Sequence, residues 1–331
     1  MATRHDGGCG RRRAVERIRG AADTGRGAGA SAAVDTAMTA AQSRSASRGE
    51  RRRARPAAAP WLAPAARLAA TALVAAATGC GGGYDPPADL PPAADQVARI
   101  RRHVEQVSSF RAETTMDYWL GDDRIKGTVL LLGKRGARLR FNAENPTGGN
   151  VAVDLACDGV GYELIDYNNN CQLAGPCTAA TIAQLLKVSM EPDDFFAMAV
   201  GASPVVSGAD GRVEWDRDEG RAIVTLATAD ARWRQRIELD GRSGHFDVLS
   251  STLYDARGDV EWKLEHRGFE DVRAADGSVV RAPRKSKFEQ PKRKADLLVV
   301  WKDRAFNVDL PPDKFDLDIP PGLPECAADA P

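Results

Sequence analysis

Nowhere in the 331 residues is there a run of the roughly 20 apolar residues that a bilayer-spanning helix needs; the nearest approach, Leu68 to Gly79, stops well short. Gly-x-Ser-x-Gly, a Walker-type phosphate loop and His-Glu-x-x-His are all absent, so the hydrolase, nucleotidase and zinc-protease chemistries tied to them have no footing. Histidine is scarce, with four in the chain. His103, His245 and His266 are each isolated in sequence and read as surface or structural groups. The acidic residues scatter among turns and outward positions, where they solvate a surface. We therefore expect no enzyme, no catalytic residue, no metal and no cofactor.

What is present begins with a basic flank, Arg51 to Arg53, Arg55 and Arg67, followed by the short apolar run LAATALVAAATGC from Leu68 to Cys80. That three-part layout is the layout of a secretory signal. Its end, Ala77-Thr78-Gly79-Cys80, resembles the lipobox of bacterial lipoprotein precursors. The resemblance implies lipid attachment at Cys80: a diacylglyceryl thioether, cleavage before the cysteine, and acylation of the new amine by a palmitate-like chain. Several acyl chains together anchor a protein durably, whereas one is marginal. Gly81 stands where an aspartate would retain a lipoprotein at the inner membrane, so the expected location is the outer membrane, lipid-anchored and facing the periplasm.

The 46 basic and 46 acidic residues balance overall but not locally. Residues 1–79 hold 14 arginines and 5 acidic residues, leaving 32 basic against 41 acidic groups from Cys80 onward. An acidic body argues against a nucleic-acid partner. Of the six cysteines, Cys9 falls in the leader and Cys80 would carry lipid. Cys157, Cys171, Cys177 and Cys326 remain as disulfide candidates in an oxidising compartment. They allow three pairings. The favoured one joins Cys171 to Cys177 around Gly175-Pro176, and Cys157 to Cys326. Zinc-type spacing is missing.

Four regions follow. Residues 1–79 are a disordered leader plus signal peptide, with Met38 an alternative start that would make 1–37 a misannotated extension. Residues 80–92, rich in Gly and Pro, are a tether. Residues 93–322 are one domain, and 323–331 a C-terminal tail. Within the domain, Val97, Ile100, Val104, Val107 and Phe110 recur at helical spacing and predict an amphipathic helix over 93–110. Strands are expected at 112–119, 124–132, 138–141, 151–157 and 162–167, with Asp158-Gly159 as a turn. Two short helices follow, 178–188 and 191–200, the second opened by Pro192 and closed by Gly201. Beyond Gly211 alternation returns, with Trp233, Gln235, Ile237 and Leu239 facing one way along a strand, and Val260, Trp262 and Leu264 doing the same against Glu261, Lys263 and Glu265. Two more strands fall near 284–289 and 296–301. The basic cluster from Arg281 to Lys294 reads as an edge strand kept from pairing by its charge.

This order of elements resembles the LolA/LolB-like superfamily of periplasmic lipoprotein carriers and outer-membrane lipoprotein receptors. The resemblance rests on the leading helix, the strand Lys126 to Leu132, the Cys157-Asp158-Gly159 hairpin, the run Gly175 to Gly201, and the closing Phe315-Asp316-Leu317 with Pro320-Pro321-Gly322. It implies a mainly β (α+β) fold: an unclosed antiparallel half-barrel covered by an N-terminal amphipathic helix and two short inserted helices. It also implies a cavity that binds an acyl chain or a lipidated client. Candidate lining residues are Val129, Leu131, Leu139, Phe141, Phe195, Phe196, Met198, Trp233, Ile237, Leu239, Trp262 and Leu264. The alternative is a non-catalytic envelope interaction protein in which the same side chains simply fill a core.

Overall fold

The computed structural model describes residues 83–327, apart from 121–122 and 146–147. Cys80, the lipobox and the leader lie outside the described residues. Helix α1 (Ala93–Glu105) leads into six strands: β1 (Ser109–Leu120), β2 (Asp123–Lys134), β3 (Arg138–Glu144), β4 (Val151–Asp158), β5 (Gly161–Asp166) and β6 (Cys171–Pro176). Helices α2 (Ala179–Leu186) and α3 (Pro192–Ala199) come next. Seven further strands complete the chain: β7 (Ala209–Asp216), β8 (Arg221–Thr228), β9 (Trp233–Asp240), β10 (Asp247–Asp255), β11 (Val260–Arg273), β12 (Val279–Gln290) and β13 (Ala295–Phe306).

All thirteen strands form one sheet in the order β6-β5-β4-β3-β2-β1-β13-β12-β11-β10-β9-β8-β7. The chain thus winds outward from β1 to β6, crosses through α2 and α3 to the far edge at β7, and winds back until β13 pairs with β1. The two helices are the link between opposite edges, which is why they lie against the sheet. Since β6 and β7 do not pair, the sheet is an unclosed antiparallel half-barrel. Register shifts on β1–β13, β3–β4, β9–β10 and β10–β11 add the local twist that curls it.

Alternation fixes which face is inside. On β3, Leu139, Phe141 and Ala143 are buried between half-exposed Arg138, Arg140, Asn142 and Glu144. Strands β8, β9 and β13 repeat the pattern. Strand β4 is buried on both faces. Its outer side is covered by the C-terminal segment, where Leu317 packs on Ala156 and Ile165.

Helix α1 ends at Glu105 rather than near Phe110. Val107 and Phe110 are buried as expected, at 0% and 1% exposure, but Phe110 does so as a strand residue facing Gly133 and Phe306. The Phe110 ring fills the place where a side chain at position 133 would sit. Helices α2 and α3 match expectation closely. Thr178 and Thr181 form a capping box at α2, and α3 runs from Pro192 to a turn whose Gly201 has φ +90°. The basic cluster departs from expectation, because β12 is an interior strand with β11 and β13 on either side. Its charge is met by carboxylates instead: Arg281 by Asp247 and Asp271, Arg284 by Glu270, Lys287 by Glu289, and Lys292 by Asp255 and Glu261.

Candidate functional site

The concave side of the half-barrel collects the side chains that sequence reasoning marked. Val129 and Leu131 of β2, Leu139 and Phe141 of β3, Ile237 and Leu239 of β9 and Leu264 of β11 are all buried, and so are Phe195, Phe196 and Met198 of α3. These ten belong to one contiguous core. Trp262 packs partly buried against it, tilted on Phe288, while Trp233 is half-buried at the start of β9 and stands apart from it. The expected void is occupied. Phe195 meets Phe141 edge-on at 4.9 Å between ring centroids, and Phe196 meets Phe110 at 5.4 Å. Helix α3 has five consecutive buried residues from Phe195 to Ala199, so no orientation leaves it a polar outer face, and it fills the sheet's concavity.

The cover is not joined to the sheet by strand pairing. Polar side chains reach in and hold its backbone. Gln290 on β12 accepts from Ser189 N at 2.7 Å and donates to Ser189 O at 2.9 Å. Gln235 on β9 accepts from Val206 N at 2.9 Å and donates to Pro204 O at 2.6 Å and Ser251 Oγ at 2.9 Å. From α1, His103 Nε2 reaches Val200 O at 2.8 Å. Asp193 at the start of α3 accepts from Gly136 N and Ala137 N in the β2–β3 turn, at 3.3 and 2.9 Å. A buried amide left unpaired would cost about 1–3 kcal/mol. The clips made by buried Gln235 and Gln290 are therefore obligatory while the cover is down, whereas the Asp193 contacts lie at the surface.

His266 on β11 completes the set. Its Nε2 donates to Ala202 O at 2.9 Å, and its Nδ1 accepts from Ser286 Oγ at 2.9 Å, which in turn accepts from Trp301 Nε1 at 2.9 Å. Burial pushes its pKa down to about 4, so the ring is neutral, with its proton on Nε2 toward the cover. On the cover itself, burial and then the neighbouring charges of Glu191 and Asp193 raise Asp194 to about 6. Sequence reasoning placed Gln235 on the inward face without giving it a task, read His266 as a surface or structural group, and left Gln290 aside. The available signal was a polar residue at an inward position of an otherwise apolar alternation.

Both cysteine pairs differ from the favoured pairing. Cys157 bonds Cys177, tying β4 to the segment before α2, and Cys171 bonds Cys326, tying β6 to the C-terminal segment. The reason is that Cys171 to Pro176 is a strand paired along β5, not a loop. Six extended residues separate its ends by roughly 20 Å, far beyond disulfide reach. Cys326 arrives beside Cys171 through a short parallel bridge between Gln172 and Glu325. Among the described residues there is no group of three or more His, Cys, Asp or Glu placed to hold a metal ion.

No protein-family model and no curated protein matches the sequence. Among solved structures the chain is similar to a DUF1329 family protein from Desulfovibrio piger, with 13% identity over 69% of this chain and 98% of that one at a TM-score of 0.47. It is similar to a LolA superfamily protein from Nitrosomonas europaea, with 11% identity over 69% and 99% and a TM-score of 0.45. A third is a domain assigned to outer membrane lipoprotein sorting from Vibrio parahaemolyticus, with 10% identity over 68% and 97% and a TM-score of 0.42. So loose an overlap carries nothing further about this chain. The half-barrel rests on its own strand order, which is the architecture that the LolA/LolB-like resemblance implied.

Proposed function

We propose that the chain is a lipid-anchored lipoprotein of the outer membrane, facing the periplasm, that takes an acyl chain or a lipidated client between its sheet and its helical cover without covalent chemistry. The observation that carries this reading is the cover. An unclosed sheet with an apolar concave face is shielded by two eight-residue helices fastened by side-chain clips. Phe195, Phe196 and Met198 occupy the place that an acyl chain would take, so binding exchanges one apolar occupant for another. Such an exchange loses little hydrophobic burial.

The interlocked Phe141–Phe195 and Phe110–Phe196 pairs favour a second reading, in which the core is permanently filled and the protein serves as an envelope interaction partner. Mass spectrometry of lipid extracted from the purified protein, with uptake of a pyrene-labelled acyl probe, separates the two. On the first reading acyl chains co-purify, and Gln290→Ala, which removes one clip, speeds probe uptake. Absence of bound acyl chains together with no uptake by either protein establishes the second. The anchor has its own test: Cys80→Ala should move the protein from the membrane fraction to the soluble periplasm, and retention in the membrane would end that part of the proposal.

A further inference from the structure

Beside the end of the cover, between the second half of α1 and strands β10 to β12, lies an open cleft of about 310 Å³. Its floor is apolar: Ile100 from α1, Val248 from β10, and the rings of Phe246 and Phe269. One wall is the Gly201-Ala202 turn that follows α3. A volume of this order falls at the small end of ligand-binding clefts.

The rim has the opposite character. Arg99, Arg102 and His103 of α1 and Gln106 at its C-cap are spaced i, i+3, i+4 and i+7, which places them on one stripe, and all four line the cleft. Among the described residues neither Arg99 nor Arg102 has a carboxylate within ion-pair distance; Arg99 instead lies over the Phe246 ring at 4.8 Å. Across the cleft Arg281 is already neutralised, by Asp247 at 2.7 Å and Asp271 at 3.2 Å. Asp247 is the one carboxylate among the lining residues. The cleft is therefore left with two uncompensated guanidinium groups, with His245 beside them and His103 already engaged by Val200 O, in a body that is acidic overall. Val279, 52% exposed at the rim, extends the apolar surface outward.

Guanidinium groups above a phenyl floor match a ligand with an anionic head and an apolar stem. We propose that this cleft binds an anionic amphiphile, with its carboxylate or phosphate held by Arg99 and Arg102 and its first methylenes laid over Phe246 and Phe269. The site is distinct from the interior beneath the cover and does not require the cover to lift.

Calorimetric titration of the full chain below micellar concentrations tests it, with dodecanoate, monododecyl phosphate, the uncharged octaethylene glycol monododecyl ether, inorganic phosphate and a hexaglutamate peptide as probes. Both anionic amphiphiles should bind, and the uncharged one at least about tenfold more weakly, as expected for the loss of the charge-assisted hydrogen bonds. Inorganic phosphate and hexaglutamate should bind more weakly than either anionic amphiphile. The double variant Arg99→Gln/Arg102→Gln should lose about tenfold or more for the two anionic amphiphiles, keep its affinity for octaethylene glycol monododecyl ether, and melt at the wild-type temperature. The proposal is overturned by equal binding of anionic and uncharged amphiphiles, by undiminished affinity in the double variant, or by phosphate or hexaglutamate binding as tightly as dodecanoate. Probe uptake into the interior and its response to Gln290→Ala should be unaffected by the arginine changes, so the two readings stand or fall separately.

Discussion

His266 and Asp194 face each other in pH dependence with opposite signs. Burial holds His266 at about 4, below its ordinary 6.5, so the unfolded chain takes up that proton first as pH falls. Its contribution is intact above pH 6.5 and is lost toward pH 4. Asp194 is raised from 3.8 to about 6, so the folded state holds that proton more tightly; its contribution is full below 3.8 and is lost as pH rises through 6. Between those limits the two slopes oppose and flatten the stability of the wild type. Asp194→Asn should separate them, being more stable than wild type by about 3 kcal/mol at pH 7 and no more stable near pH 4. Urea unfolding at the two pH values measures this, and a difference independent of pH would refute it. A second residue-level expectation concerns Gly133, whose missing side chain leaves room for the Phe110 ring. Gly133→Ala should cost about 1–3 kcal/mol through overpacking, seen as a lowered melting temperature with the fold retained.

At the scale of elements, most strands were legible because an inward apolar position alternates with an outward polar one, as in Arg138 to Glu144 and Trp233 to Leu239. Both short helices were legible from their punctuation, Thr178 and Pro192 in front and Gly201 behind. Strand β6 was not. Cys171-Gln172-Leu173-Ala174-Gly175-Pro176 carries no alternation, and its extended form is imposed by pairing with β5 and by the C-terminal segment. That one misreading also produced the wrong disulfides. The inward positions of the candidate site were legible as well, whereas their being filled depends on how deeply α3 sits, which no local pattern reports. The bond between Cys171 and Cys326 spans 155 residues and fastens a segment otherwise held by Gln172, Arg140 and Glu163. Cys171→Ser/Cys326→Ser should lower stability by up to about 5 kcal/mol and expose the chain near Pro320 to limited proteolysis. Unchanged protease resistance would show that the hydrogen bonds suffice alone.

For the whole molecule, the outward-then-return winding makes β1 and β13, near the two ends of the domain, central partners in the sheet. Folding must therefore bring together residues nearly two hundred positions apart, such as Phe110 and Phe306, before the concave face can close over its core. The sheet's two borders differ in what guards them. At Gln172 on β6 the C-terminal segment takes up the outer backbone, with Gln172 N donating to Pro324 O at 2.9 Å and Cys326 N to Gln172 O at 2.8 Å. Along β7, beyond the Tyr84 N contact to Arg217 O at 2.7 Å, no strand among the described residues takes up the outer hydrogen-bonding groups. A ribbon with one free border can recruit a copy of itself only once, border to matching border. Growth into a fibre needs two, and here the disulfide-locked segment at Gln172 stands in the way of the second.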